Sequence, residues 1–192
     1  MESKIKITLI YGSAREGRFC DKVMKWALSL LSSREEFELD VIDPRDYGFA
    51  RVNGPNVHRE SAELRRCIER ADAFIVVTPE YNHGYPAPLK ALIDAAYFEW
   101  NAKPMAFISY GGMSGGIRAV EQLRQVFAEL HVVTIRDGVA FPNVWDQFDD
   151  GGNLREPGHA EKSLHSMLAQ LQWWAKALSS ARQAVSYQEV IE

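Results

Sequence analysis

Apolar positions along the chain switch between a period of two and a period near 3.6. Residues 4–10 are rich in β-branched side chains and partly alternate, which predicts a first strand. Phe19, Val23, Trp26, Ala27, Leu30 and Leu31 then recur on one helical face. Residues 37–42 alternate again before Asp43-Pro44, predicting a second strand with a solvated side, at a sheet edge. Residues 43–57 carry Pro44, Gly48, Gly54 and Pro55 and read as a loop. Over 58–70 a helix is predicted, with Leu64, Cys67 and Ile68 apolar. Its arginines (59, 65, 66 and 70) alternate with glutamates, the pattern of a solvated face rather than of a basic nucleic-acid patch. The apolar run 73–78, ending at Pro79, suits a strand covered on both faces. A helix over 86–97 follows, with Leu89, Leu92, Ile93 and Ala96 inward and Pro88 near its start. Residues 104–109 predict another buried strand. Ile117, Val120, Leu123, Phe127 and Leu130 mark a helix, and 132–135 a short fifth strand. Residues 141–158 read as a long loop, a rim or an oligomer contact. The last helix spans 161–180, and the tail 181–192 has no strong period.

Strand and helix thus alternate five times, the signature of an α/β domain with a doubly wound parallel sheet. Right-handed crossovers and five strands favour the flavodoxin-like order 2-1-3-4-5. With 192 residues, one domain accounts for the chain, its core spanning about residues 4–180. The formal net charge of −4 argues against non-specific nucleic-acid binding and against a membrane surface. No apolar run reaches the roughly 18 residues of a membrane span, and residues 1–6 lack a signal peptide's apolar core. Cys20 and Cys67 form no CxxC pair and read as free thiols of a cytoplasmic protein.

In sheets of this order ligands bind beyond the carboxyl ends of the strands, at the switch point between strands 1 and 3. That rule selects three loops. The first, residues 12–20, places Gly12, Ser13, Arg15, Gly17 and Arg18 between a strand and a helix. Ser13 can donate a hydrogen bond, both arginines can fork onto phosphate oxygens, and the following helix start offers amides. The same stretch also reads as an ordinary turn with solvated arginines. The second loop, 78–86, offers the ring of Tyr81 and the amide of Asn82. The third, 109–116, is glycine-rich. No GK[ST] follows Gly12, so the first loop is not a Walker A motif. It is not GxGxxG either, because Ala14 stands at the second glycine. Asp43 lies 31 residues after Gly12, against about 20 for a ribose-binding acid. One phosphate plus a platform for a planar ring points to flavin mononucleotide.

The sequence resembles the NADPH-dependent FMN reductase family from about residue 5 to 178. The resemblance is carried by Gly12-Ser13-x-Arg15-x-Gly17, by Pro79-Glu80-Tyr81-Asn82 with Pro86 and Leu89-Lys90, and by the glycine-rich third loop. Phe148-Asp149-x-x-Gly152-x-Leu154 also resembles the family. It implies an FMN whose phosphate meets Ser13, Arg15, Arg18, Phe19 and Cys20. Pro79, Glu80, Tyr81 and Asn82 would contact the flavin ring, and Ser109, Gly111 and Gly112 its other edge. It further implies NADPH or NADH as hydride donor, and flavins, quinones or related small molecules as acceptors. A homodimer or homotetramer is implied, with the flavin near a subunit interface. Chemistry carried by the cofactor explains why no acid–base pair or nucleophilic triad stands out. A ping-pong cycle follows, with backbone amides at Gly111 and Gly112 holding negative charge on the reduced ring. Arg18 departs from the family's more usual Ser, Ala87 from a frequent Gly, and residues 95–100 from an Asp-Trp ending. An electron carrier of flavodoxin type, without nicotinamide turnover, is the alternative reading. A pure interaction module on the same fold is a third. The five histidines show no metal spacing, although His83 adjoins the second loop. Cys20, at a helix start, is placed where a thiolate is favoured. Trp100, Trp173 and Trp174 read as core or interface residues.

Overall fold

The two-residue alternation of the strands sorts their side chains onto two opposed faces. The computed structural model describes residues 4–47 and 57–191, with side chains from 57 to 61 left out. The elements are β1 (Ile5–Tyr11), α1 (Cys20–Leu31), β2 (Phe37–Ile42), α2 (Val57–Arg70), β3 (Ala73–Pro79) and α3 (Ala87–Asp94). There follow β4 (Pro104–Tyr110), α4 (Ile117–Glu129), β5 (Val133–Thr134), β6 (Val139–Phe141), α5 (Val144–Gln147), α6 (Pro157–Ala184) and α7 (Tyr187–Ile191). All strand pairings are parallel, in the order β2-β1-β3-β4-β5, with β6 also on β4.

Leu9, Ile75, Val77, Ala106 and Ile108 point to one face, where α1 and α6 cover them. Ile10, Phe74, Val76, Met105 and Phe107 point to the other, against α2, α3 and α4. Every residue of β3 and β4 is buried, as runs covered on both faces require. β2, at the sheet edge, keeps a solvated side. No helix among the described residues is long and apolar enough to cross a membrane.

Four expectations are revised. The fifth strand position is filled twice. Pro104 pairs with Val133, but Ile108 pairs with Val139, so two extra residues are accommodated between β5 and β6. Arg124 donates to the carbonyls of Ile135 and Arg136 at the break. Second, the helix over 86–97 ends at Asp94, and a 3-10 turn at Phe98–Trp100 drives Trp100 into the core. Its ring packs 4.9 Å from Phe74 and 5.6 Å from Phe127, and Nε1 donates to Ile93 O. Third, α6 starts at Pro157, a residue that suits a first helical turn. Fourth, the tail read over 181–192 is taken up by the end of α6, through Ala184, and by α7, with the Tyr187 hydroxyl 3.0 Å from His131 Nδ1. Of the loop read over 43–57, residues 48–56 lie outside the described residues.

Candidate functional site

β1, β3 and β4 end side by side at Tyr11, Pro79 and Tyr110, so the three loops emerge from one edge of the sheet. Side chains then tie them together. The buried Ser13 hydroxyl lies 2.8 Å from the Tyr81 hydroxyl, joining the first loop to the second. The Arg15 guanidinium lies over the Tyr81 ring, 3.7 Å from its centroid. Glu80 joins the second loop to the third. Its carboxylate accepts from Ser114 Oγ (2.8 Å), from the Arg118 guanidinium (2.7 Å) and from the Arg118 amide in the first turn of α4. Burial alone would raise the Glu80 pKa, but the bonds from Arg118 and Ser114 outweigh it and hold it low. Glu80 therefore supplies the negative charge that an N-terminal helix turn favours, in place of a side-chain cap from the left-handed Gly116.

Several residues implied by the resemblance have other occupations. Arg18 is buried and does not extend toward a ligand: it donates to Asp21 (2.8 Å), to Ser13 O (2.5 Å) and to both carboxylate oxygens of Asp43. Its guanidinium also lies over the Tyr11 ring at 3.9 Å. Burial would lower its pKa, yet the bonds to Asp43 and Asp21 raise it, so the cation is fixed. The Gly111 amide, expected at the flavin edge, donates instead to Phe141 O (3.2 Å). Ser109 turns its hydroxyl to Gly115 O (2.8 Å). Asn82 and His83 both have positive φ, as the central pair of the tight hairpin between Tyr81 and Gly84 requires. Asn82 is thus accounted for by the turn, and His83 is exposed beside it.

Phe19 stacks edge-on against Phe148, 5.6 Å between ring centroids, and so anchors the 141–158 segment beside the first loop. There Phe148 bridges to Leu154, while Asp149 accepts from Asn153. Three functional candidates escaped the sequence reading: Asp43, set aside on spacing, its partner Arg45, and Arg118, the partner of Glu80. Arg18 in place of a small residue was the one available signal, since a buried arginine requires an acid.

Cys20 is also revised. Its thiol sits in the core and donates to Val77 O, and burial pushes its pKa up to about 11. The helix-start position does not generate a thiolate here. In native protein at pH 8, iodoacetamide should modify the half-buried Cys67 and leave Cys20 untouched, with both reacting in urea. Peptide mass spectrometry showing equal native labelling of the two would refute this placement.

Comparison with known proteins follows the same lines. Residues 5–146 match the NADPH-dependent FMN reductase family. An NAD(P)H-dependent FMN reductase of Schizosaccharomyces pombe is 32% identical over 148 residues, covering 71% of this chain and 74% of that protein. An NAD(P)H:quinone oxidoreductase of Solanum tuberosum is 32% identical over 181 residues, covering 88% and 91%. Among solved structures, the flavoenzyme NAD(P)H:(acceptor) oxidoreductase FerB of Paracoccus denitrificans superposes with a TM-score of 0.67 at 20% identity. It covers 90% of this chain and 98% of that one, which supports the fold.

Proposed function

The chain belongs to the NADPH-dependent FMN reductase family, and from that membership we propose an FMN-dependent oxidoreductase that takes hydride from NAD(P)H and reduces a flavin, quinone or related acceptor. The supporting observation is the joining of three loops at the switch point, with the Ser13 and Tyr81 hydroxyls 2.8 Å apart and Arg15 beside them. Ser13, Tyr81 and Arg15 bind the phosphate. Pro79, Tyr81 and Asn82 border the ring. At the third loop this role passes from Gly111 to Gly112, where a side chain would meet no protein atom within 4 Å. Bound FMN supplies the hydride chemistry, and the protein binds, orients and excludes. Donor and acceptor take turns at one open face in a ping-pong cycle. Free Cys20 and Cys67 favour a cytoplasmic location. Exposed Phe98, Met113 and Ile117 favour a homodimer or homotetramer, to be measured by light scattering.

Purified protein should be yellow and should oxidise NADPH or NADH steadily when a quinone is present. A colourless protein that takes up no added FMN would eliminate the proposal. Bound flavin with no turnover would favour the electron carrier, whose characteristic strong acidity the net charge of −4 does not match. Arg15→Ala should weaken FMN binding about tenfold by loss of one charge-assisted contact. Unchanged affinity by fluorescence titration would remove Arg15 from the phosphate site.

A further inference from the structure

Three consecutive carbonyls of the first loop are held from behind by two arginines. Ser13 O accepts from Arg18 at 2.5 Å. Ala14 O accepts from Arg45 Nε at 3.2 Å, and Arg15 O from the same guanidinium. Asp43 is the hub. Its carboxylate accepts from the Arg18 guanidinium and, at 3.0 Å, from the Arg45 amide. Burial would raise the Asp43 pKa, but Arg18 and the Arg45 amide keep it low.

The consequence follows from peptide geometry. In a trans peptide the carbonyl of one residue and the amide of the next point in opposite directions, and this chain has no cis bond among the described residues. Fixing the carbonyls of residues 13, 14 and 15 therefore fixes the amides of Ala14, Arg15 and Glu16, facing away from the arginines, with the Arg15 amide 3.4 Å from the Ser13 hydroxyl that is itself assigned to the phosphate. In an extended strand successive carbonyls alternate in direction. Here one guanidinium takes two in succession, so the Arg15 and Glu16 amides share a side. Successive amides on one side make an anion-binding concavity.

We propose that Arg45, together with Arg18 and Asp43, is a positioning residue that aims the amides of residues 14–16 at the phosphate of the cofactor without touching it. The proposal rests on the FMN reading above. It also gives the Arg18 departure a function, since an arginine at that position orients the loop instead of contacting the ligand.

The test compares FMN with riboflavin, which carries the same ring without the phosphate. Arg45 is exposed, so Arg45→Ala should fold with an unchanged thermal midpoint. Its FMN affinity, by quenching of flavin fluorescence, should fall about tenfold, while riboflavin affinity stays within about twofold. Arg45→Lys offers one ammonium in place of the fork and should lose less. Equal losses for FMN and riboflavin would mean a general structural role and would overturn the proposal. So would Arg45→Ala binding FMN like the wild type. A wild-type protein that binds FMN no better than riboflavin would instead remove the phosphate cradle itself, and the clamp with it.

Discussion

Arg18→Ala lowers the free energy of unfolding by about 3–5 kcal/mol, the expected cost of removing one partner from a buried ion pair. The arginine side chain is 3% exposed and that of Asp43 17%, so the substitution leaves a largely buried carboxylate without its cation. The substitution strands the Asp43 carboxylate and leaves Ser13 O without its donor. It also removes the cation from the Tyr11 ring. The pH dependence has a definite sign. In the wild type, the Asp43 pKa is depressed below its ordinary 3.8, so its contribution is full above that value and is lost as the pH falls through the depressed one. In Arg18→Ala the carboxylate is destabilised instead, and protonation relieves it. The gap between the two proteins is therefore widest near pH 7 and narrows below about pH 4. Urea denaturation at the two pH values measures it. Arg18→Met combined with Asp43→Asn should lose less than Arg18→Ala alone, because no uncompensated charge remains. A single variant within about 0.5 kcal/mol of wild type would show that the pair is not a structural one.

The strands were legible because period two is dictated by the backbone itself: it shows as alternation at the sheet edge and as an unbroken apolar run where both faces are covered. Phe74 and Val76 face one side and Ile75 and Val77 the other, whatever packs against them. The strand order followed, since handedness and short crossovers leave few choices. What the sequence hid was set by distant partners. The fifth strand position is interrupted just before β6, where Gly138 passes so close to Phe107 O, 31 residues away in the chain, that a Cβ there would sit 2.7 Å from it. The helix read over 86–97 stops three residues early, and the 3-10 turn that follows seats Trp100, a core or interface residue in the sequence reading, between Phe74 and Phe127. At the candidate site, residue types located the loops correctly but not the direction in which each group points. Arg18 and Gly111 carry the right chemistry for a ligand, and the structure turns both toward protein.

The sharpest case is Gly12, and Gly12→Ala should destabilise the protein by about 3 kcal/mol or more. As a sequence feature, this glycine reads as room for a ligand. In the structure, a Cβ at Gly12 would lie 2.7 Å from both Thr78 Cα and Val77 O, and 2.8 Å from Thr78 Cβ. The Gly12 amide bonds Val77 O at 2.7 Å, so the first loop leaves β1 pressed against β3. The atoms in the way are mainly backbone of a fully buried central strand, and it cannot move without shifting Tyr81 from Ser13 as well. Stability and FMN binding should therefore fall together in this variant. Gly112→Ala is the contrasting case. A Cβ there meets no protein atom within 4 Å, so stability should stay within about 0.5 kcal/mol of wild type. Only ligand binding should respond, because the added methyl enters the space assigned to the ring. Thermal denaturation and FMN titration of the two variants separate a glycine required by the fold from one required by the site. Equal stability losses in both would show that the third loop is as tightly packed as the first, and would remove Gly112 from the flavin edge.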